Sequence, residues 1–351
     1  RIGGDEFAVL LQDCATGRAQ EIAEQLRDAV RSYRLDWQGR SFAVGASIGI
    51  VEVGPEPATI TDILANADSA CYAAKRRGRN AVCVYDRKLD DGTPSERSEL
   101  LARIGRAVEE DLFSLSVLTA RPAAAEASSY HELLLRMPSE SEQLLEAHRF
   151  LPVAERYGML GGIDRWVVRT AISHLDDAAD RYSGVFAINL SGAGLADVRL
   201  HDYVQRKIEE GSLDPKRLYF EISESSAVAY RDDVLSFIER ISALGCQFTL
   251  DDFGGGIGSF GLLRELPVSY VKIGNSFRSA LRSQSIDHTL ITAICEICHD
   301  AKRQVIASRV EVQEDADQLI KLGVDFVQGH INHPPTPLVG FNPDAKAADD
   351  P

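Results

Sequence analysis

The chain has 351 residues, which is too long for one small core and suits two domains. Its 44% hydrophobic and 26% charged residues are ordinary for a soluble globular protein. A formal net charge of −15, from 38 basic and 53 acidic residues, argues against a protein that binds nucleic-acid polymers. A small anionic ligand is still compatible with this charge, because a local cluster of Lys, Arg and metal ions can invert the field.

The amino-terminal part of the chain alternates between strand and helix patterns. Strands are predicted at Phe7–Leu11, Ser41–Val53 and Ala81–Tyr85, and helices at Ala19–Tyr33 and Thr59–Arg77. The segment Asp86–Ser95 combines charge with Gly, Pro and Ser, which is typical of an exposed junction. A helix from about Glu96 to Asp111 then leads into the second part. We therefore expect a first domain at 1–88, a linker at 89–98, a second domain at 99–340 and a tail at 341–351.

The second domain repeats short apolar runs separated by helical stretches. The eight runs are Phe113–Ala120, Glu132–Arg136, Val185–Leu190, Leu218–Ile222, Phe248–Leu250, Tyr270–Ile273, Val305–Ala307 and Phe326–Val327. Eight strands that alternate with helices predict an α/β fold, a (β/α)8 barrel of the TIM type.

Polar residues stand at or beside the ends of these runs, where a barrel of this type carries its active site. They are Glu132, Asn189, Glu221, Asp251, Asp252, Lys272, Ser308 and Gln328. Carboxylate and amide oxygens are the ligands that Mg2+ and Mn2+ prefer, so this set predicts a site for a hard cation. The alternative is that these are ordinary polar strand ends in contact with solvent.

The chain contains neither a signal peptide nor an apolar run of the length that a membrane helix needs. Because Arg1 falls within a predicted strand-turn, we expect a fragment of a cytoplasmic protein, with a sensor and any membrane anchor upstream. The six cysteines lie mostly in apolar segments, which indicates buried thiols in a reducing compartment.

Two short motifs resemble metal or cofactor sites. Cys295, Cys298 and His299 have the spacing of covalent haem attachment, but a helical pattern across them favours two thiols that face the core. The pair His330 and His333 lies near a Pro-rich loop, and such a pair seldom makes a metal site.

The first domain resembles the GGDEF domain of diguanylate cyclases, an α+β fold. The resemblance is carried by Arg-Ile-Gly-Gly-Asp-Glu-Phe at 1–7, Ala-Ser-Ile-Gly at 46–49, Ala-Asp at 67–68 and Tyr-Ala-Ala-Lys-Arg-Arg-Gly-Arg-Asn at 72–80. It implies that Gly3 and Gly4 allow close approach of a nucleotide and that Asp5 and Glu6 handle metal and nucleotide.

Lys75 and Arg79 share one helix face, where they either contact phosphate, as the family implies, or form a solvated basic face. The family's first half would precede Arg1. We therefore expect a truncated domain without cyclase activity.

The second domain resembles the EAL phosphodiesterase domain, itself a (β/α)8-type barrel. Tyr-His-Glu-Leu-Leu-Leu-Arg at 130–136 stands where that family has Glu-Ala-Leu-x-Arg. Further matches are Phe-Leu-Pro-Val-Ala-Glu at 150–155, Ile-Asp-Arg-Trp at 163–166, Asn-Leu-Ser at 189–191, Phe-Glu-Ile-Ser-Glu at 220–224, Leu-Asp-Asp-Phe-Gly at 250–254, Pro-Val-Ser-Tyr-Val-Lys-Ile at 267–273 and Gln-Gly at 328–329.

The resemblance implies that two divalent cations, Mg2+ or Mn2+, hold a water and the scissile phosphate of cyclic-di-GMP. The residues carried over for one metal are Glu132, Asn189, Glu221 and Asp251, with Asp251 and Asp252 toward the second. Lys272 would orient the water or the phosphate. Arg136, Glu132 and Gln328 would contact the ligand.

Three positions depart from the family and predict weakened metal binding and hydrolysis. Ser308 and Gly274 replace two family acids, and Arg309 replaces a glycine beside Ser308. Arg121 stands where we place the family's ligand-binding Gln, and either substitutes for it or is solvated.

Three hypotheses follow for the barrel. It binds cyclic-di-GMP as a receptor with an impaired site; or it is a working or slow phosphodiesterase in which Glu311 or Glu224 covers for the missing acid; or it binds neither nucleotide nor metal and serves as a dimerisation scaffold. The expected partners are cyclic-di-GMP, a second copy bound through the barrel, and the upstream sensor.

Overall fold

This computed structural model describes residues 7–12, 14–37, 40–53, 80–85, 94–124, 128–139, 143–177, 182–254, 259–274, 286–331 and 334–341, with positions 60, 63, 64, 66, 67, 70, 71 and 74. The chain divides into two compact units, Arg1–Gly92 and Thr93–Pro351. No helix in these ranges is both long and apolar enough to cross a membrane.

Among its described residues, the first unit has a continuous helix and two pairs of short strands. The helix spans Thr16–Ser32, and the strands are β1 (Arg34–Trp37), β2 (Arg40–Ala43), β3 (Ile48–Ile50) and β4 (Val82–Val84). β1 pairs with β2 antiparallel, and β3 pairs with β4 parallel. The described positions from 60 to 74 are helical, as predicted.

Two strand predictions for this unit differ from the structure. The predicted strand Ser41–Val53 is interrupted at residues 44–47 and gives β2 and β3, which belong to different sheets. Residues 7–11 are not a strand, and Phe7 and Leu10 are 71% and 87% exposed. A strand needs a partner for its backbone groups, and none of the described residues pairs with this run.

The second unit is an eight-stranded closed barrel with helices around it. The barrel strands are β5 (Ser114–Pro122), β6 (Tyr130–Pro138), β8 (Val185–Asn189), β9 (Leu218–Ser223), β10 (Gln247–Phe253), β11 (Tyr270–Ile273), β12 (Gln304–Ala307) and β13 (Phe326–Gln328). Two short strands, β7 (Leu144–Glu146) and β14 (Thr336–Pro337), pair with β6 and β5. Every predicted run coincides with one barrel strand, so the predicted fold is confirmed.

The helices of this unit cover the outside of the barrel. They span Pro94–Glu109, Ala147–Arg156, Leu160–Asp177, Gly192–Leu195, Val198–Glu210, Glu224–Ala229, Arg231–Ser242, Ser259–Glu265, Ile286–Asp300 and Gln313–Lys321, with a 3-10 turn at Pro215–Arg217. Cys295 and Cys298, on the helix Ile286–Asp300, are buried in the core, as predicted. His330 is exposed, and His333 lies outside the described residues.

The direction of β5 differs from the prediction. A helix between each pair of consecutive strands would make all eight strands parallel. β5 is antiparallel to both neighbours, β6 and β13, while the other seven barrel strands are parallel. The β5–β6 connection spans only residues 123–129, and a parallel crossover needs a dozen or more residues. The carboxyl end of β5 therefore lies at the opposite end of the barrel from the other seven.

The two-residue period of each strand divides its side chains between the outer core and the barrel interior. Outward residues such as Phe220 and Phe248 join the large apolar core under the helices. Inside, a smaller cluster closes the barrel, with Tyr130, Tyr219, Tyr270 and Phe326 among its members. The ring centroids of Tyr130 and Tyr270 are 4.9 Å apart. Continuing the same inward face by two residues leads from Tyr130 to Glu132 and from Tyr270 to Lys272, directly above this aromatic layer.

Candidate active and ligand-binding site

Lys272 lies at the centre of a group of acids inside the barrel. Its Nζ is 2.7 Å from Oε2 of Glu132, 2.9 Å from Oε2 of Glu221 and 3.8 Å from Oδ1 of Asp251. Lys272 and Glu221 are only 2% and 1% exposed, and Glu132 is 7% exposed. We call Glu132, Glu221, Asp251 and Lys272 the lysine–acid cluster.

Two amides hold the carboxylate of Glu132. Nδ2 of Asn189 donates a hydrogen bond to Oε1 at 2.8 Å, and Nε2 of Gln328 donates to Oε2 at 3.0 Å. The structure thus brings together six of the predicted site residues, which are contributed by the strands β6, β8, β9, β10, β11 and β13.

Tyr130 supports the cluster from the aromatic layer below and was missed by the sequence analysis. Its hydroxyl donates to Oε1 of Glu221 at 2.6 Å and lies 2.8 Å from Oγ1 of Thr249. The signal that could have found both residues is the strand period. Tyr130 precedes Glu132 by two residues and Thr249 precedes Asp251 by two, so each shares the inward face.

A second contact missed by the sequence analysis fixes the chain behind Asn189. The carboxylate of Asp164, 5% exposed on the helix Leu160–Asp177, accepts from the Ser191 hydroxyl at 2.5 Å and from its backbone N–H at 3.3 Å. Ser191 also caps the next helix by accepting from the Gly194 N–H at 2.9 Å. Burial raises the pKa of Asp164 to about 6, although the bonds from Ser191 act against the rise.

The charges within the lysine–acid cluster shift one another. Burial lowers the pKa of Lys272, but attraction by Asp251, Glu132 and Glu221 outweighs burial and holds that pKa well above its usual value. Burial raises the pKa of Glu132, yet attraction to Lys272 and hydrogen bonds leave the net pKa lowered. Burial and repulsion by Glu132 hold the pKa of Glu221 well above its usual range, and burial raises that of Asp251 to about 6. The cluster therefore holds more acid than its one ammonium balances.

The donor atoms fit one hard divalent cation by their chemistry. Glu132, Glu221 and Asp251 offer carboxylate oxygens, and the Asn189 amide, whose nitrogen donates to Glu132, keeps its oxygen available. The raised pKa values of Glu221 and Asp251 mark the excess negative charge that such an ion would balance. As the side chains stand, no group of three or more His, Cys, Asp or Glu residues in the described ranges has the arrangement of a metal site. The carboxylates surround the Lys272 ammonium instead.

A second cation fits poorly, because the neighbouring positions lack acids. Gly274 carries no side chain, and a Cβ placed there would lie 2.9 Å from Oδ1 of Asp252. Asp252 is itself exposed, with φ at +54°, and is not among the partners found for Lys272. The Ser308 hydroxyl donates to the Ile273 carbonyl at 3.1 Å.

Other predicted site residues lie at the rim or outside it. Arg136 is 9% exposed and its Nη2 is 3.7 Å from Oε1 of Glu146. Glu311 is exposed and is not a partner of Lys272. Glu224, offered as its alternative, accepts from the Gly254 backbone N–H at 2.9 Å and is thus bound to the residue that follows β10.

Arg121 was predicted to contact the ligand, but it lies away from the other site residues, so this prediction is wrong. It is exposed and pairs in register with Val327, whereas Leu118 is the β5 residue opposite Glu132. Three residues of strand separate Leu118 from Arg121, about 10 Å, and the reversed direction of β5 carries Arg121 away from the site. Gly3, Gly4, Asp5, Glu6, Lys75 and Arg79 all lie outside the described residues.

Comparison with known proteins agrees with this geometry. The family model for the EAL domain matches residues 105–335, and the model for the diguanylate cyclase GGDEF domain matches residues 1–81. The chain belongs to the GGDEF–EAL family of proteins. Its EAL domain is the barrel, and the lysine–acid cluster lies inside that domain.

Two curated relatives contain both parts of the chain. The cyclic di-GMP phosphodiesterase PdeB of Shewanella oneidensis is 31% identical over 344 residues, which are 97% of this chain and 40% of PdeB. The bifunctional diguanylate cyclase/cyclic di-GMP phosphodiesterase MucR of Pseudomonas aeruginosa is 30% identical over 342 residues, 96% of this chain and 49% of MucR. The chain therefore spans less than half the length of these two relatives.

Two solved structures have the same barrel and contain cyclic-di-GMP. The FimX EAL domain of Pseudomonas aeruginosa bound to c-di-GMP superposes with a TM-score of 0.63 at 25% identity, covering 68% of this chain and 96% of that one. The c-di-GMP complex of the PaMucR phosphodiesterase has a TM-score of 0.63 at 30% identity, covering 68% and 98%.

Proposed function

We propose that the EAL domain of this chain binds cyclic-di-GMP and acts as a receptor whose hydrolytic site is impaired. One observation carries the proposal: the lysine–acid cluster is intact, while the adjoining ends of β11 and β12 offer Gly274 and Ser308 instead of acids. Binding of cyclic-di-GMP by the structural relatives supports the choice of ligand.

The residues have separate roles in this proposal. Glu132, Asn189, Glu221 and Asp251 would hold one Mg2+ or Mn2+ ion, with Asp252 at the edge. When bound, such an ion neutralises phosphate charge and lowers the pKa of a coordinated water. Lys272 keeps its proton and orients a phosphate oxygen, while Arg136 and Gln328 contact the ligand.

Hydrolysis is impaired because a phosphodiester displacement needs charge balanced at both the attacking and the leaving oxygen. Ser308 and Gly274 stand where the family has two acids, so two carboxylates that would help to bind a second divalent cation are missing. Each loss of about 1.4 kcal/mol in transition-state stabilisation is a factor of about ten in rate, so losing several kcal/mol leaves a residual activity at most.

Calorimetric titration of cyclic-di-GMP into the full chain, with and without Mn2+, tests the proposal when the recovered nucleotide is then analysed. We expect saturable binding with the nucleotide intact. Conversion to the linear dinucleotide would show instead a phosphodiesterase that tolerates Ser308. An absence of heat from folded protein would favour the dimerisation scaffold.

A phosphodiesterase is the second candidate, favoured by the complete first set of ligands around Lys272 and by the activity named for PdeB and MucR. The double variant Ser308→Glu, Gly274→Asp separates the two functions. If the receptor proposal is right, hydrolysis rises sharply, provided that the Asp252 carboxylate moves from the space above residue 274. The matched control Ser308→Gln, Gly274→Asn adds the same bulk without charge and stays inactive.

A homodimer through the barrel, an upstream sensor and a cytoplasmic location complete the proposal. Sedimentation of the full chain with and without cyclic-di-GMP measures the first of these. If the chain is a monomer in both conditions, the proposed homodimer is wrong.

A further inference from the structure

Arg309 has an unusual backbone conformation beside the site. Its φ is +59°, in the left-handed region that residues other than glycine rarely adopt because it strains the backbone. The turn is held from the next strand, because the Val310 N–H donates to the Gln328 carbonyl at 2.9 Å. A Cβ at Gly329 would be 1.9 Å from the Val310 carbonyl oxygen, so the two segments are in close contact. Arg309 is thus held in place beside Gln328, a site residue.

The turn places Arg309 next to the missing acids. Arg309 follows Ser308 directly, and both the N–H and the hydroxyl of Ser308 donate to the Ile273 carbonyl, one residue before Gly274. The side chain of Arg309 is exposed, and within the described part of the chain no acid is found paired with its guanidinium.

The charge of the site indicates what this guanidinium does. A ligand with two phosphodiesters is a dianion, and it approaches a cluster with three acids and one ammonium. The Lys272 charge is buried among those acids, and Arg136 is 9% exposed beside Glu146. Arg309 is an exposed cation at this end of the barrel, and a guanidinium binds phosphate through two parallel hydrogen bonds.

We propose that Arg309 binds a phosphate of the ligand and supplies the positive charge that a second divalent cation cannot supply beside Gly274 and Ser308. The inference rests on the proposed binding of cyclic-di-GMP. It makes binding independent of metal at that phosphate and dependent on salt concentration, since an exposed ion pair is screened.

The test compares cyclic-di-GMP affinity of the full chain in EDTA between the unchanged protein and R309G, R309K and K302G. Glycine at 309 removes the guanidinium and also relieves the left-handed strain, so its effect on binding does not come from unfolding. Lys302 is the matched control, because it is exposed, has φ at +58° and precedes β12 at the opposite end of that strand. We expect R309G to bind about tenfold more weakly or worse, R309K to lose less, and K302G to bind like the unchanged protein.

Thermal unfolding of the same proteins completes the design. R309G and K302G should both unfold at or above the temperature of the unchanged chain, because both relieve the same strain. Equal affinity of R309G and the unchanged protein, or an equal loss in K302G, would overturn the role of Arg309. If the unchanged protein itself fails to bind in EDTA and in Mn2+, the receptor proposal falls, and the role of Arg309 with it.

Discussion

Replacing Lys272 with Met tests whether this ammonium balances the charge of the site. Methionine has nearly the same length, so the variant removes the charge without opening a large cavity. It leaves Glu132 and Glu221, which lie 2.7 Å and 2.9 Å from Nζ, as buried acids without a cation.

The expected loss is large for one side chain. Removing one partner of a buried ion pair costs about 3–5 kcal/mol, because an uncompensated charge stays in a site of low dielectric constant. Lys207→Met is the control: its Nζ is 3.2 Å from Glu210 on the surface. A surface pair of this kind contributes about 1 kcal/mol or less, so the difference between the two variants measures the effect of burial.

The free energy of unfolding is measured in urea by tryptophan fluorescence. The chain has two tryptophans, and Trp166, 5% exposed against Phe113, lies on the helix Leu160–Asp177 of the barrel domain. A Trp37→Phe background makes Trp166 the only tryptophan reporter, so that unfolding of the barrel is followed by itself.

Two further conditions make the result specific. Mn2+ should restore part of the lost stability of K272M, because the divalent ion takes over the charge of the ammonium. Without Lys272 the folded-state pKa values of the acids rise above their unfolded values, so the folded protein binds more protons and K272M should be less destabilised at pH 5 than at pH 8. A loss below about 1 kcal/mol at pH 8, equal to that of K207M, would refute the assigned role of the charge.

Three more predictions concern buried polar groups. Burial raises the pKa of Asp164 to about 6, so the free energy of unfolding should fall by up to about 3 kcal/mol as the pH rises from about 4 to 6. Asp164→Asn should remove this pH dependence in urea titrations. The pKa of His131, lowered to about 4 by burial, has the opposite sign: stability falls as pH drops from about 6.5 to 4, by up to about 3 kcal/mol, and His131→Phe should abolish this fall. An unchanged slope in either variant would contradict its assignment. Tyr130→Phe should lower the free energy of unfolding in EDTA by about 1–3 kcal/mol, because the Glu221 carboxylate loses its donor at 2.6 Å. Calorimetric titration should also show weaker Mn2+ binding to this variant. If neither quantity changes, Tyr130 does not support the cluster.

The sequence by itself determined the barrel strands and most of the cluster. Each strand has an inward and an outward face with a period of two, and this local pattern survives in the linear sequence. The matches to family motifs added the assignment of Glu132, Asn189, Glu221, Asp251, Lys272 and Gln328 to one site. In the barrel, hydrogen bonds and ion pairs join these six side chains into one group.

Only the tertiary structure decided which strand is reversed and what lies between the acids. β5 is joined to β6 by a short connection, but only its pairing with the distant strand β13 sets Arg121 opposite Val327 and so away from the site. The Lys272 ammonium between two carboxylates, the Tyr130 hydroxyl below them and the Asp252 carboxylate over Gly274 are likewise contacts between different strands. Local periodicity fixes the face on which a side chain lies, whereas these contacts depend on how the closed barrel sets one strand against another.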